Sequence, residues 1–327
     1  MSGKERLKEI LKPVEEHLAE VEILVMGKLE TDISLLTEVG QYILKSGGKR
    51  VRPAMLLFSC GCLGKIDERA YLAANIIEYI HTATLLHDDV VDNADLRRSK
   101  KSARSIWGNE ASVLVGDYLF TVSFQDLAKV GNMDMVQALA RCTTMMARGE
   151  ILQLVRANDT ATEEEYLEIV EHKTASLMGV AMEMGGILAG ASREQAQAFY
   201  DCGKNIGMAF QLVDDALDYQ LDNQALGKNQ GADLKERKIT LPLSHLLLQA
   251  NEADRERVMD ILDEDEITDE HVKAVAQLME QYQSVEYARN RADEFVDEAK
   301  KILSQFPANP CRQSMMDLAD FVVSRDR

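Results

Sequence analysis

The sequence predicts an all-α protein, and three observations carry that reading. Its 327 residues include only five prolines, and none lies between residues 54 and 241. Ala, Leu, Glu, Met and Lys are abundant along the chain, and these side chains lose little freedom in a helix. Apolar residues recur at spacings of three and four, as at Leu72, Ile76, Tyr79, Ile80, Ala83 and Leu86. That spacing keeps one helical face apolar, whereas strands would alternate with period two.

Breaks are expected at Gly47-Gly48, Gly61, Gly131 and Gly227. Between them the pattern predicts about a dozen helices, each long enough to pack through one or more faces. Stretches near 70–92, 110–130, 163–190 and 193–221 are apolar on several faces and read as central helices. Thr162 with Glu165, and Ser192 with Gln195, have the spacing of capping boxes at two of their starts. The region 252–305 is more charged and reads as outer helices. No Pro-, Gly- or Ser-rich linker and no repeat divides the chain, so a single domain over 1–327 is expected.

Composition narrows the function. Apolar residues make up 46% and charged residues 28%, enough for a buried core. The formal charge of −18 repels a phosphate backbone, which argues against nucleic-acid binding. No apolar run is long enough to cross a membrane, and the first residues lack the apolar stretch of a signal peptide. Five cysteines without a C-x-x-C pair argue against a disulfide framework and for a reducing, cytoplasmic setting. The 15 methionines read as adaptable core packing.

Two clusters stand out chemically. Asp88, Asp89 and Asp92 end one apolar stretch, and Asp214, Asp215 and Asp218 end another, both spelled D-D-x-x-D. On a helix, residues four apart share a face, so each cluster sets carboxylates one turn apart. Their mutual repulsion is relieved by a cation, and hard oxygen ligands favour magnesium, which also takes substrate phosphate oxygens. Cations are concentrated nearby despite the acidic total. Lys49, Arg50 and Arg52 follow Gly47-Gly48, and Arg97 and Arg98 follow the first cluster. Lys228 and Lys238 flank a glycine-containing stretch after the second, a lid candidate. Carboxylates for a metal beside guanidinium groups suit a diphosphate. Lys173 and Thr174 interrupt an apolar helix, where a lysine needs a partner.

Six segments together resemble the trans-isoprenyl diphosphate synthase (polyprenyl synthetase) family, in order along nearly the whole chain. They are GGKRVRP at 47–53, LLHDDVVDNADLRRSK at 85–100, GDYLF at 116–120, HKTASL at 172–177, FQLVDDALD at 210–218 and GKNQGADLKERKITLPL at 227–243. The pattern looks closest to the bacterial long-chain members. The resemblance implies a helical bundle around a deep central cavity, usually a homodimer. It implies Mg2+ bound by Asp88 and Asp92 with Asp89 supporting, and by Asp214 with Asp215 and Asp218 as ligands or in support. Arg97 would hold an allylic diphosphate primer such as farnesyl diphosphate. Lys49, Arg52, Arg98 and His81 would hold isopentenyl diphosphate. Lys173, Thr174 and Gln211 would line the reacting centre, with Lys228 and Lys238 closing on the diphosphate. Ser99 and Arg237-Lys238-Ile239 depart from the family's usual residues without removing a charged ligand.

Ala83 and Thr84 lie about one turn before Asp88, at ~1.5 Å rise per residue, and their small size implies an open tunnel and a product of about forty carbons. Phe120, Phe124 and Tyr79 are candidates for its floor. Such a product implies at most transient membrane contact. A shorter-chain synthase, a class I terpene cyclase and a non-catalytic partner subunit are the alternatives. The second aspartate cluster argues against the cyclase, and the presence of all six aspartates against the partner subunit.

Overall fold

A computed structural model describes residues 2–45, 48–64, 66–97, 100–155, 162–220 and 231–324. Helices dominate it, in the order α1 (Gly3–Leu11), α2 (Glu15–Gly27), α3 (Ser34–Lys45), α4 (Val51–Cys62), α5 (Glu68–Val91), α6 (Ala103–Val130) and α7 (Met133–Val155). Next come α8 (Glu163–Val170), a π-helical turn (Glu171–Ala175), α9 (Ser176–Leu188), α10 (Arg193–Asp218), α11 (Ala232–Lys235) and α12 (Leu241–Gln249). The last four are α13 (Glu252–Asp263), α14 (Asp269–Gln281), α15 (Ser284–Leu303) and α16 (Pro310–Val323). The fold is all-α. It has more helices than the dozen expected because local caps split long stretches. Asn251 and Thr268 each cap a new start, so 252–305 forms three helices. Both expected capping boxes form: Thr162 with Glu165, and Ser192 with Gln195. One short antiparallel pair was not foreseen: β1 (Leu96–Arg97) with β2 (Lys100–Lys101), in register Leu96↔Lys101.

The chain forms two compact units. The first comprises Met1–Arg141, Leu177–Gly203 and Ile302–Met316, the second Cys142–Ser176, Lys204–Lys301 and Asp317–Arg327. In the first unit α6 packs along α5. Phe58, Ile76, Ile77, Ile80 and Leu86 are fully buried there, each worth roughly 2 kcal/mol of hydrophobic stabilisation. A Cβ at Gly116 would come 2.4 Å from His87 Nε2, so glycine lets α6 approach α5 beside the first aspartate cluster. In the second unit Leu243, Leu246, Val258, Val275 and Met279 form the core. There Tyr287 and Arg291 of α15 both bond Glu163, fixing the start of α8.

All five cysteines are free and buried. Among the described residues no helix is long and apolar enough to cross a membrane.

Candidate functional site

The first unit carries the first cluster at the end of α5. Asp89 is fully buried, and Arg97 Nε donates to its Oδ1 at 2.7 Å. Its Oδ2 is buried with no hydrogen-bond partner. Burial raises its pKa, against the lowering pull of Arg97. Asp88 is half-buried and Asp92 exposed. The cluster is therefore split: Asp89 faces inward as an anchor for Arg97, while Asp88 and Asp92 lie together on the outer face. The bond to Asp89 uses one of the five N–H donors of Arg97.

The three cations before α4 also separate. Arg50 adopts a left-handed φ of 48°, which a non-glycine residue takes at a cost of roughly 1 kcal/mol. Its guanidinium bonds the buried Glu78, Glu22 and the Leu44 carbonyl, which offsets that strain. Arg50 is thus structural. Lys49 is exposed, and Arg52 places Nη1 3.3 Å from His81 Nε2. Ala83 is fully buried, and Thr84 is half-buried and donates to the His81 carbonyl at 2.8 Å. Tyr79 is fully buried, with its hydroxyl on the Val25 carbonyl at 2.8 Å, so it belongs to the packing of α5 against α2. The Phe120 and Phe124 rings pair 5.3 Å apart on α6.

The second unit carries the second cluster at the end of α10 and the Lys173-Thr174 pair on the π-helical turn. Lys173 Nζ bonds Glu150 at 2.9 Å and Gln153 at 3.2 Å, both from α7. Thr174 Oγ1 donates to Gln211 Oε1 at 3.1 Å, and Gln211 Nε2 donates to Asp215 Oδ1 at 2.7 Å. Tyr166 donates to the other oxygen of Asp215 at 2.6 Å. Asp214, by contrast, is exposed. Asp218 accepts the backbone N–H groups of Ala232 at 3.3 Å and Asp233 at 2.9 Å, and so caps α11. Lys238 pairs with Glu236 at 2.6 Å. Arg98, Ser99 and Lys228 lie outside the described residues, as do Gly47 and the first part of the lid candidate.

The electrostatics of this unit are strongly acidic. Burial pushes Asp215 up to about 6, with Asp214 and Asp218 adding to the rise and the Tyr166 and Gln211 bonds opposing it. Asp233 is pushed up to about 8 by burial and by Asp215 and Asp218. Glu150, Gln153, Tyr166 and Asp233 are residues that sequence reasoning missed. One signal was present: Gly149 is the one glycine inside α7, and a Cβ there would come 2.9 Å from His172 Cβ. Glycine is what brings α7 against the turn bearing Lys173.

These residues fit a hard divalent cation. Asp89 keeps a buried oxygen without a partner, and the second cluster holds several carboxylates whose ionisation burial disfavours. Among the described residues no three His, Cys, Asp or Glu side chains converge to enclose an ion alone.

Residues 33–279 match the family described as Polyprenyl synthetase. The octaprenyl diphosphate synthase of Escherichia coli (strain K12) is 38% identical over 312 residues, covering 95% of this chain and 96% of that protein. The crystal structure of a decaprenyl diphosphate synthase from Rhodobacter capsulatus superposes with a TM-score of 0.91 at 39% identity, covering 98% and 99% of the two chains. A polyprenyl synthase from Caulobacter crescentus, complexed with calcium and isoprenyl diphosphate, gives 0.91 at 36% identity, covering 98% of each. Proteins named as shorter-chain synthases match as well. The fold is that of the isoprenyl diphosphate synthases, a class of prenyltransferases. The chain belongs to the polyprenyl synthetase family.

Proposed function

We propose that this enzyme adds isopentenyl diphosphate units to an allylic diphosphate such as farnesyl diphosphate, giving a long trans-polyprenyl diphosphate. The observation that carries the reading is the shared design of the two motifs: in each, a buried middle aspartate is tied down while an outer aspartate faces outward. Asp88, Asp92 and Asp214 would hold magnesium, with Asp89, Asp215 and Asp218 in support; the metal supplies positive charge to a departing diphosphate. Arg97 binds the allylic diphosphate. Lys49, Arg52 and His81, with Arg98, bind isopentenyl diphosphate, and Lys228 and Lys238 cover the site. The allylic carbon–oxygen bond breaks with its electron pair leaving on diphosphate. Lys173, Thr174 and Gln211 face the resulting positive carbon with oxygen atoms. The double bond of isopentenyl diphosphate attacks it, and the released diphosphate takes the proton. No nucleophilic side chain is needed.

The small, half-buried Thr84, roughly one helical turn before Asp88, supports a product of about forty carbons, whereas the fully buried Ala83 serves the packing of α5. The family match runs through both units, which supports one functional domain over 1–327. Ile106, Val113 and Leu114 on α6 are 43%, 37% and 65% exposed, which supports a homodimer that covers them. Five buried free thiols support a cytoplasmic setting. The test is incubation with magnesium, farnesyl diphosphate and labelled isopentenyl diphosphate, followed by chain-length analysis. A dominant product near forty carbons is expected; farnesyl- or geranylgeranyl-length product would remove the tunnel reading, and no incorporation by folded homomer would remove the function.

A further inference from the structure

Four side chains of the second unit form one hydrogen-bonded chain, from Tyr166 through Asp215 and Gln211 to Thr174. The direction of every hydrogen in it is forced. A carboxylate only accepts, so both Tyr166 and Gln211 must donate to Asp215. Gln211 therefore turns its NH2 toward Asp215 and its carbonyl toward Thr174. A carbonyl also only accepts, so the Thr174 hydroxyl spends its single hydrogen on Gln211 Oε1. What remains to Thr174 Oγ1 is its lone pairs, and Gln211 Oε1 keeps one of its own.

An oxygen that shows lone pairs attracts a cation, and one that shows a hydrogen repels it. We propose that Tyr166 and Asp215 are positioning residues: Asp215 sets the polarity of this chain and Tyr166 holds its carboxylate in place, so that Thr174 and Gln211 present lone pairs to the positive allylic carbon. The inference rests on the condensation reading above. It assigns Tyr166 a role that its burial and its motif leave unstated. It also separates Asp215 from Asp214: both oxygens of Asp215 already receive donors, which suits an anchor. An asparagine at 215 could donate in its turn. Gln211 would then reverse, and the Thr174 hydrogen would be free to point at the reacting carbon.

The test compares two unreactive analogues of the allylic diphosphate, both with magnesium present. One carries an ammonium at the position of the allylic cation, and the other a neutral carbon. Titration calorimetry gives each affinity for the wild type, Tyr166→Phe and Asp215→Asn, with thermal unfolding as the check on folding. Tyr166→Phe should weaken the ammonium analogue about tenfold and leave the neutral one unchanged. Asp215→Asn should weaken it about a hundredfold and tests the same point independently of Tyr166. In a Thr174→Val background Tyr166→Phe should cost nothing further, while Thr174→Ser should restore the wild-type preference. Equal loss of both analogues in folded variants, or full additivity with Thr174→Val, overturns the inference. A wild-type enzyme that turns over no isopentenyl diphosphate would overturn the condensation reading, and the inference with it.

Discussion

Asp89 and Asp215 occupy the same place in two copies of D-D-x-x-D, yet Asp89 is held by a cation and Asp215 by two neutral donors. Arg97 cancels one negative charge of the first motif. Nothing comparable bonds the middle aspartate of the second, and Asp218 and Asp233 lie in its field. Burial is the main cause that lifts Asp215 to about 6 and Asp233 to about 8, and the neighbouring carboxylates add to it. The third residues differ too: Asp218 caps α11, whereas Asp92 closes α5 through its own backbone N–H on the Asp88 carbonyl. A motif spelled identically can thus come from its fold with its middle carboxylate paired to a cation or held by neutral donors. The second depends more on what binds.

The outer aspartates should respond alike. Asp88→Ala and Asp214→Ala are each expected to lower kcat by about 10²–10³-fold in steady-state assays, with unfolding free energies within about 1 kcal/mol of wild type. A large loss at only one motif would break the parallel. The anchors should respond differently. Arg97→Ala leaves the buried Asp89 carboxylate uncompensated and should cost about 3–5 kcal/mol in urea unfolding. Tyr166→Phe removes one hydrogen bond to a charged group and should cost about 1.5–3 kcal/mol in the same experiment. Equal costs would erase the contrast between cationic and neutral anchoring. The smallest effect belongs to the third residues: Asp218→Ala should lose about 1 kcal/mol with its cap, read as faster amide exchange at 232–233. Asp92→Ala should change stability by less than about 0.5 kcal/mol, because that side chain is exposed.

Much of this was legible beforehand. Helical periodicity and two capping boxes are local signals, and the helices and caps formed where they pointed. The requirement that Lys173 have a partner came from burial alone, and Glu150 meets it. The identity of that partner was not legible, because it sits on another helix and only tertiary packing joins them. The same holds for Tyr166, an ordinary apolar-face residue of α8 until α10 brings Asp215 to its hydroxyl. The sorting of Arg50 from Arg52 depended on Glu78, a lone acid in an apolar stretch of α5. That signal was present, but it marks the need for a cation without saying which one.

The π-helical turn at Glu171–Ala175 can be viewed as a backbone bulge. There the Ser176 N–H reaches back five residues to the Glu171 carbonyl, and the Ser176 hydroxyl takes over the His172 carbonyl at 2.7 Å. The helix thus carries one residue more than a regular ladder would hold, and a side chain repairs the skipped rung. Deleting a single residue within the turn would restore regular winding and leave the helix on either side in its present register, because the turn already absorbs the extra residue. One extra residue therefore bulges out the backbone at Lys173 and Thr174 while the helix before and after keeps its phase, a local offset that no side-chain substitution could supply.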